Sequence, residues 1–260
     1  MSILLLIQQY VFYEGWKSMF IALAALGICV LPGILLYLWL KNNVRQPQDE
    51  AYRKACRDAF HKGLLSTAGV VILSFFLRLI GNLLSLPAEG SVPGALYHTF
   101  LVLAFAEELM KSMMFLLVLK KASYAYTWLD MIIFMTVVSL AFGLLEDAVY
   151  AFGTNPMVML VRGILLMHGV YGFLEGWFYG MAKHSGKPWM AVYGFVIVWI
   201  LHGAYDFGLR PELGDEAAFL PVLLAGFSLV MVIVMIVFFA RKKKEKYLEP
   251  IGPLSQAEEC

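Results

Sequence analysis

Charged side chains are scarce in this chain. Asp, Glu, Lys and Arg make up 15% of its 260 residues, against about a quarter in soluble domains. With 61% of residues apolar, too few polar groups remain to cover a water-facing surface, which excludes a soluble globular fold. Cysteine is rarer still, with three residues: Cys29 in an apolar run, Cys56 in a basic stretch and Cys260 at the end. That count offers no disulfide framework. Neither CxxC nor HExxH occurs, so the commonest zinc signatures are missing. The closing EEC is not a prenylation box, which needs Cys four places from the end, where Ala257 stands. A net charge of +1 gives no reason to expect a nucleic-acid partner. Internal repeats and low-complexity tracts are absent from the sequence as well. The opening MSILLLIQQYVFYEGW lacks a basic region and a small-residue cleavage site. It reads as mature sequence, interfacial or leading into a first span, rather than as a signal peptide.

Long apolar runs are what the sequence has in abundance. Runs of about 20 residues recur from end to end, each long enough to cross a hydrocarbon core of about 30 Å. Seven spans can be drawn, at approximately 18–40, 64–86, 96–119, 128–152, 158–182, 189–208 and 219–240. Basic residues orient them, because Lys and Arg concentrate in cytoplasmic connections. Fifteen lie in alternate connections and in the tail opening at Arg241, against two, Lys17 and Arg210, on the other side. The expected protein is an all-α polytopic membrane protein with its N-terminus outside and its C-terminus in the cytoplasm. Residues 1–246 form one helical domain, and 247–260 a disordered cytoplasmic tail. The segment QPQDEAYRKACRDAFHK spaces Tyr52, Cys56 and Phe60 at helical intervals. It is expected as a short amphipathic helix on the inner membrane surface.

Against this apolar background, ionisable groups inside the spans stand out. Glu107 and Glu108 are adjacent in the middle of LYHTFLVLAFAEELMKSMMFLLVL, and each costs roughly 2.5 kcal/mol or more to insert. Lys111 is three and four positions on, so it can neutralise one glutamate and leave the other free. Glu146 lies in the fourth span, and His202 and Asp206 share one face of the sixth, four residues apart. At 1.5 Å per residue, Glu107 is about 16–18 Å below the outer end of its span, with Glu146 and His202 at about 9 Å. These helices can converge on one cavity in the outer half of the bilayer, and His168 of the fifth span, at about 15 Å, can join them. The plainer readings are a structural Glu108–Lys111 salt bridge and a His168 that merely links two helices. Glu175 is expected to face water or pair with Lys183, and Arg162 to snorkel to the outer interface.

In order, AFAEELMK, FGLLE and HGAYD spell EExxK, FxxxE and HxxxD. This triplet resembles the PrsW intramembrane proteases, a branch of the group that includes the CAAX prenyl endopeptidases. Glu107, Glu108 and Lys111 fill the first motif, Phe142 and Glu146 the second, His202 and Asp206 the third. The resemblance covers about residues 95–208 and implies a CAAX-protease-like helical core there. The prenyl-endopeptidase branch shows EExxxR, FxxxH and HxxxN. Lys111, Glu146 and Asp206 depart from it, which argues against a prenyl-protein substrate.

The resemblance implies hydrolysis of a peptide bond in a single-pass membrane protein, in a bacterial plasma membrane, near the extracytoplasmic face. First-site cleavage of an anti-sigma factor is the activity linked to the family. Such chemistry needs an activated water, a stabilised oxyanion and a proton for the leaving amine. Glu107 is the expected general base, and Glu108 its neighbour held by Lys111. His202 would orient water or the oxyanion, with Asp206 and Glu146 shaping its protonation and Phe142 and His168 in support. Three carboxylates and one imidazole lean toward a glutamate-activated water without a cofactor. If a metal is required, zinc on Glu107, Glu146, His202 and Asp206 is the alternative. Two other classes compete: a proton- or cation-coupled transporter, which would also need intramembrane carboxylates, and a non-catalytic scaffold of the same fold.

Overall fold

In hydrocarbon every backbone N–H and C=O must find its partner within its own segment, so lipid-crossing runs fold as helices. A computed structural model describes residues 15–44, 50–87, 90–122, 127–151, 156–210, 213–214 and 219–242. The N-terminal lead-in and the tail 247–260 lie outside the described residues. The elements are α1 (Gly15–Asn43), α2 (Glu50–Leu83), α3 (Val92–Leu96), a π-helical stretch (Tyr97–Phe105), α4 (Ala106–Lys121), α5 (Trp128–Tyr150), α6 (Pro156–Leu165), α7 (Met167–Ser185), α8 (Trp189–Gly208) and α9 (Phe219–Lys242). No strand occurs among the described residues. Among the described residues, six helical runs are long and apolar enough to cross a membrane. The seventh expected span is the continuous run from α3 through the π stretch to α4, the one loaded with Glu107, Glu108 and Lys111. The chain is an all-α multi-pass membrane protein.

Helix α5 is the axis of the bundle. Every residue from Leu129 to Leu144 is buried, as expected of a helix apolar all round. Its start is set by a capping box, in which Thr127 Oγ1 accepts from Asp130 N–H and Asp130 Oδ2 accepts from Thr127 N–H. Its closest neighbour is α7, which presents Gly169, Gly172, Gly176 and Gly180 along one face. Small residues at this spacing let two helix backbones approach and gain dispersion contact that lipid cannot supply. A Cβ at Gly172 would stand 2.7 Å from the Met135 carbonyl oxygen and 2.6 Å from Ser139 Oγ. Gly172→Val is therefore expected to destabilise the bundle by at least about 1–3 kcal/mol. Thermal unfolding in detergent, followed by circular dichroism, measures it.

The outside of the bundle is apolar, as acyl chains require. Val71, Phe75 and Leu83 of α2 and Val222 and Val230 of α9 are each more than half exposed. The π stretch ends immediately before the paired glutamates. Two of its carbonyls are met from neighbouring helices, the Phe100 carbonyl by Trp199 Nε1–H at 2.6 Å and the Val102 carbonyl by the Ser74 hydroxyl at 2.7 Å. Side-chain donors of this kind hold a helix open at a bulge, and such bulges recur at functional sites.

Two expectations change. The segment around Tyr52, Cys56 and Phe60 is not a separate surface helix but the first part of α2, continuous with the second span. Tyr52 and Cys56 are buried, with the Tyr52 hydroxyl donating to the Leu40 carbonyl at 2.7 Å and its ring against Phe134. The apolar face at helical spacing is there, but it packs on protein rather than lipid. The fifth span, in turn, is two helices. Leu166 adopts a left-handed conformation (φ 45°, ψ 42°) between α6 and α7, a strained state for a residue with a side chain. It re-aims α7 so that His168, two residues on, enters the bundle.

Candidate active site

Four helices supply the site. Helix α4 brings Glu107, Glu108 and Lys111; α5 brings Phe142, Glu146 and Asp147; α7 brings His168; α8 brings His202 and Asp206. Glu107, Glu108, Lys111, His168 and His202 are all buried.

Lys111 Nζ donates to Glu108 Oε1 at 2.7 Å and lies 4.7 Å from the centre of the Phe142 ring. Glu108 Oε1 also meets His202 Nδ1 at 2.6 Å. A carboxylate that pairs with an ammonium can only accept, so His202 carries its proton on Nδ1. Nε2 is thereby turned toward Glu107 Oε2 at 3.7 Å and Asp206 Oδ2 at 3.4 Å.

A second relay orders the other imidazole. Lys111 Nζ lies 3.2 Å from His168 Nδ1, and His168 Nε2 lies 2.5 Å from Glu146 Oε2. An ammonium has no acceptor capacity, so Nδ1 accepts and Nε2–H donates to Glu146. Arg162 of α6 closes the chain, with Nη2 on Glu146 Oε2 at 3.2 Å and Nε on Asp147 Oδ1 at 2.7 Å. The His168 ring reaches this position because Gly143 leaves room for it: a Cβ there would stand 2.7 Å from His168 Cδ2.

The residues of the three motifs and His168 thus lie in one network, but three assignments move. His168 is not a simple link between helices. Its ligand atom, one from Glu107 and one from His202 all lie within 4.8 Å of one another. Among the described residues, Glu107, His168 and His202 form a group that could hold a metal ion, while Glu146 is bonded to His168 and Arg162. Arg162 does not snorkel, because its guanidinium is bound to two acids and stacks over Tyr150. Glu175 neither faces water nor pairs with Lys183. It is fully buried and accepts from the Ser112 hydroxyl.

Residues that sequence reasoning missed complete the cavity. It is lined by Glu146, Asp147, Arg162, Met167, His168, Tyr171, His202, Tyr205 and Asp206, and its volume is about 30 Å³. That is room for one or two waters. Asp147 directly follows a motif glutamate and Arg162 is an unusual intramembrane cation. Together they carried a pairing signal that helix spacing within one span could not show.

The defining pattern of the PrsW family, described as PrsW family intramembrane metalloprotease, matches residues 58–240. Protease PrsW of Halalkalibacterium halodurans is 31% identical over 155 residues, covering 54% of this chain and 70% of that protein. Protease PrsW of Bacillus subtilis is 28% identical over 192 residues, covering 71% of this chain and 82% of that protein. No solved structure matches.

Proposed function

This chain belongs to the PrsW family of intramembrane metalloproteases, and we propose that it cuts a single-pass membrane protein near the extracytoplasmic face with zinc held by Glu107, His168 and His202. The observation that carries this reading is the approach of those three ligand atoms to within 4.8 Å of one another. Among the described residues the buried Glu107 Oε2 has no hydrogen-bond partner, which suits a metal-ligand atom. Two imidazoles and one carboxylate, with a fourth position for water, are a known donor set of hydrolytic zinc sites. Glu108 behind His202 supplies the carboxylate–histidine support that such ligands use. His168 has both nitrogens engaged, so it ligates by giving up one partner. When bound, zinc would polarise the scissile carbonyl and ease deprotonation of water.

The rest is done by the chain's own groups. With Glu107 a ligand, the base role falls to Asp206, whose carboxylate lines the cavity beside His202. Asp206 takes a proton from the attacking water and returns it to the leaving amine. Arg162 holds Glu146, and Glu146 holds the His168 ring. Family resemblance and the charge-derived topology support an anti-sigma factor receiving its first cut on the outer side as the substrate. The water-sized cavity requires local opening to admit a peptide.

A second reading rests on the same atoms. Because both nitrogens of His168 are already satisfied within the fold, Glu107 itself can serve as base to a water without metal. Zinc content separates the two. Protein purified without added metal is expected to carry zinc, to lose cleavage on dialysis against a strong chelator and to regain it with zinc. His168→Ala is expected to weaken zinc retention at least about 10–100-fold, read by elemental analysis. Full cleavage by metal-free protein would leave the Glu107-base reading standing instead.

A further inference from the structure

The Tyr171 hydroxyl is buried without a hydrogen-bond partner among the described residues, on a side chain only 2% exposed. Its ring lies against that of His202, with centroids 5.2 Å apart, and it forms part of the wall of the catalytic cavity. A buried phenol with nothing to donate to costs stability, and unpaired groups of this kind call for an explanation in what the site does.

The other donors around the cavity are already engaged. Arg162 is held by Glu146 and Asp147, His202 by Glu108, and His168 by Glu146 and Lys111. Tyr205 is partly exposed and can satisfy its hydroxyl with water. In a pocket otherwise rich in carboxylates, Tyr171 holds a neutral, uncommitted O–H beside the place where the reacting carbonyl must sit.

Peptide hydrolysis creates a need for such a donor. Water oxygen bonds to the carbonyl carbon as its proton passes to Asp206, and the C=O π pair moves onto oxygen. That oxyanion is the new acceptor. Collapse then restores C=O and breaks C–N, and the amine leaves with the proton from Asp206.

We propose that Tyr171 is a catalytic residue whose hydroxyl donates a hydrogen bond to this oxyanion. The inference rests on the protease reading above, and the experiment keeps the two apart. Wild type and Tyr171→Phe, purified in parallel, are incubated in liposomes with a single-pass membrane substrate. Zinc content and thermal unfolding are measured on the same preparations. Loss of one oxyanion donor is expected to lower kcat about 10²–10³-fold with KM and zinc content unchanged. The unfolding temperature should stay level or rise, because the substitution removes an unsatisfied buried hydroxyl. A variant that cleaves like wild type overturns the role of Tyr171 and leaves the protease reading intact. A fall in zinc content or unfolding temperature in step with activity also overturns it, by making the residue structural. Absence of cleavage by the wild type overturns both readings.

Discussion

Glu107→Gln is expected to lower cleavage of a membrane-embedded substrate by at least about 10³-fold while leaving the bundle folded. The change keeps the shape of the side chain and removes its charge. Whether Glu107 binds zinc or takes the proton from water, the carboxylate is the working group, and an amide is poor at both tasks. Stability should behave differently. Glu107 Oε2 has no hydrogen-bond partner among the described residues and faces His202 Nε2 at 3.7 Å, so neutralising it breaks no hydrogen bond there and relieves the desolvation of a buried charge. The measurements are turnover in liposomes and thermal unfolding on one preparation. A variant that unfolds in parallel with its loss of activity would assign Glu107 to structure.

The neighbouring glutamate should give the opposite pattern. Glu108 Oε1 is bonded to both Lys111 and His202, and both Glu108 and Lys111 are fully buried. Glu108→Leu would leave the Lys111 ammonium in the bundle without its counter-charge, which costs about 3–5 kcal/mol. Replacing the pair together, by Glu108→Leu with Lys111→Met, should recover most of that loss, because well-packed apolar groups can replace a buried ion pair at little cost. Activity should not recover. His202 Nδ1–H would have no acceptor, and the tautomer that turns Nε2 into the site would no longer be enforced. A full double-mutant cycle in denaturant or heat, with turnover read alongside, checks both halves. Independent, additive effects of the two single substitutions would remove the pairing from the argument.

Both outcomes depend on residues that were legible in the sequence to different degrees. The triplet EExxK, FxxxE and HxxxD placed Glu107, Glu108, Glu146, His202 and Asp206 on spans that do come together. Depth counted along each helix assumed one α-helical rise throughout, whereas Tyr97–Phe105, just ahead of Glu107, is π-helical. His168 and Arg162 were harder. Each is a single ionisable residue on an otherwise apolar run, and the plain reading of either is a local one. Their partners lie on other helices, 22 residues away for His168 and Glu146 and 15 for Arg162 and Asp147. No periodicity within one span reports such a pair. The glycine stripe from Gly169 to Gly180 was visible in principle, since its spacing matches one helix face. It is what brings α7 close enough to α5 for His168 to matter.

Composition and spacing by themselves determined that this is a helical membrane protein and which spans carry ionisable groups into its interior. Hydrocarbon penalises each polar group individually, so the cost of insertion can be read one residue at a time. Partner choice was left to the tertiary structure. Lys111 is three residues from one glutamate and four from the other, and helix geometry permits either pairing. The choice fell to Glu108 because His202 and His168 arrive from other helices and fix where the ammonium and the second proton must lie.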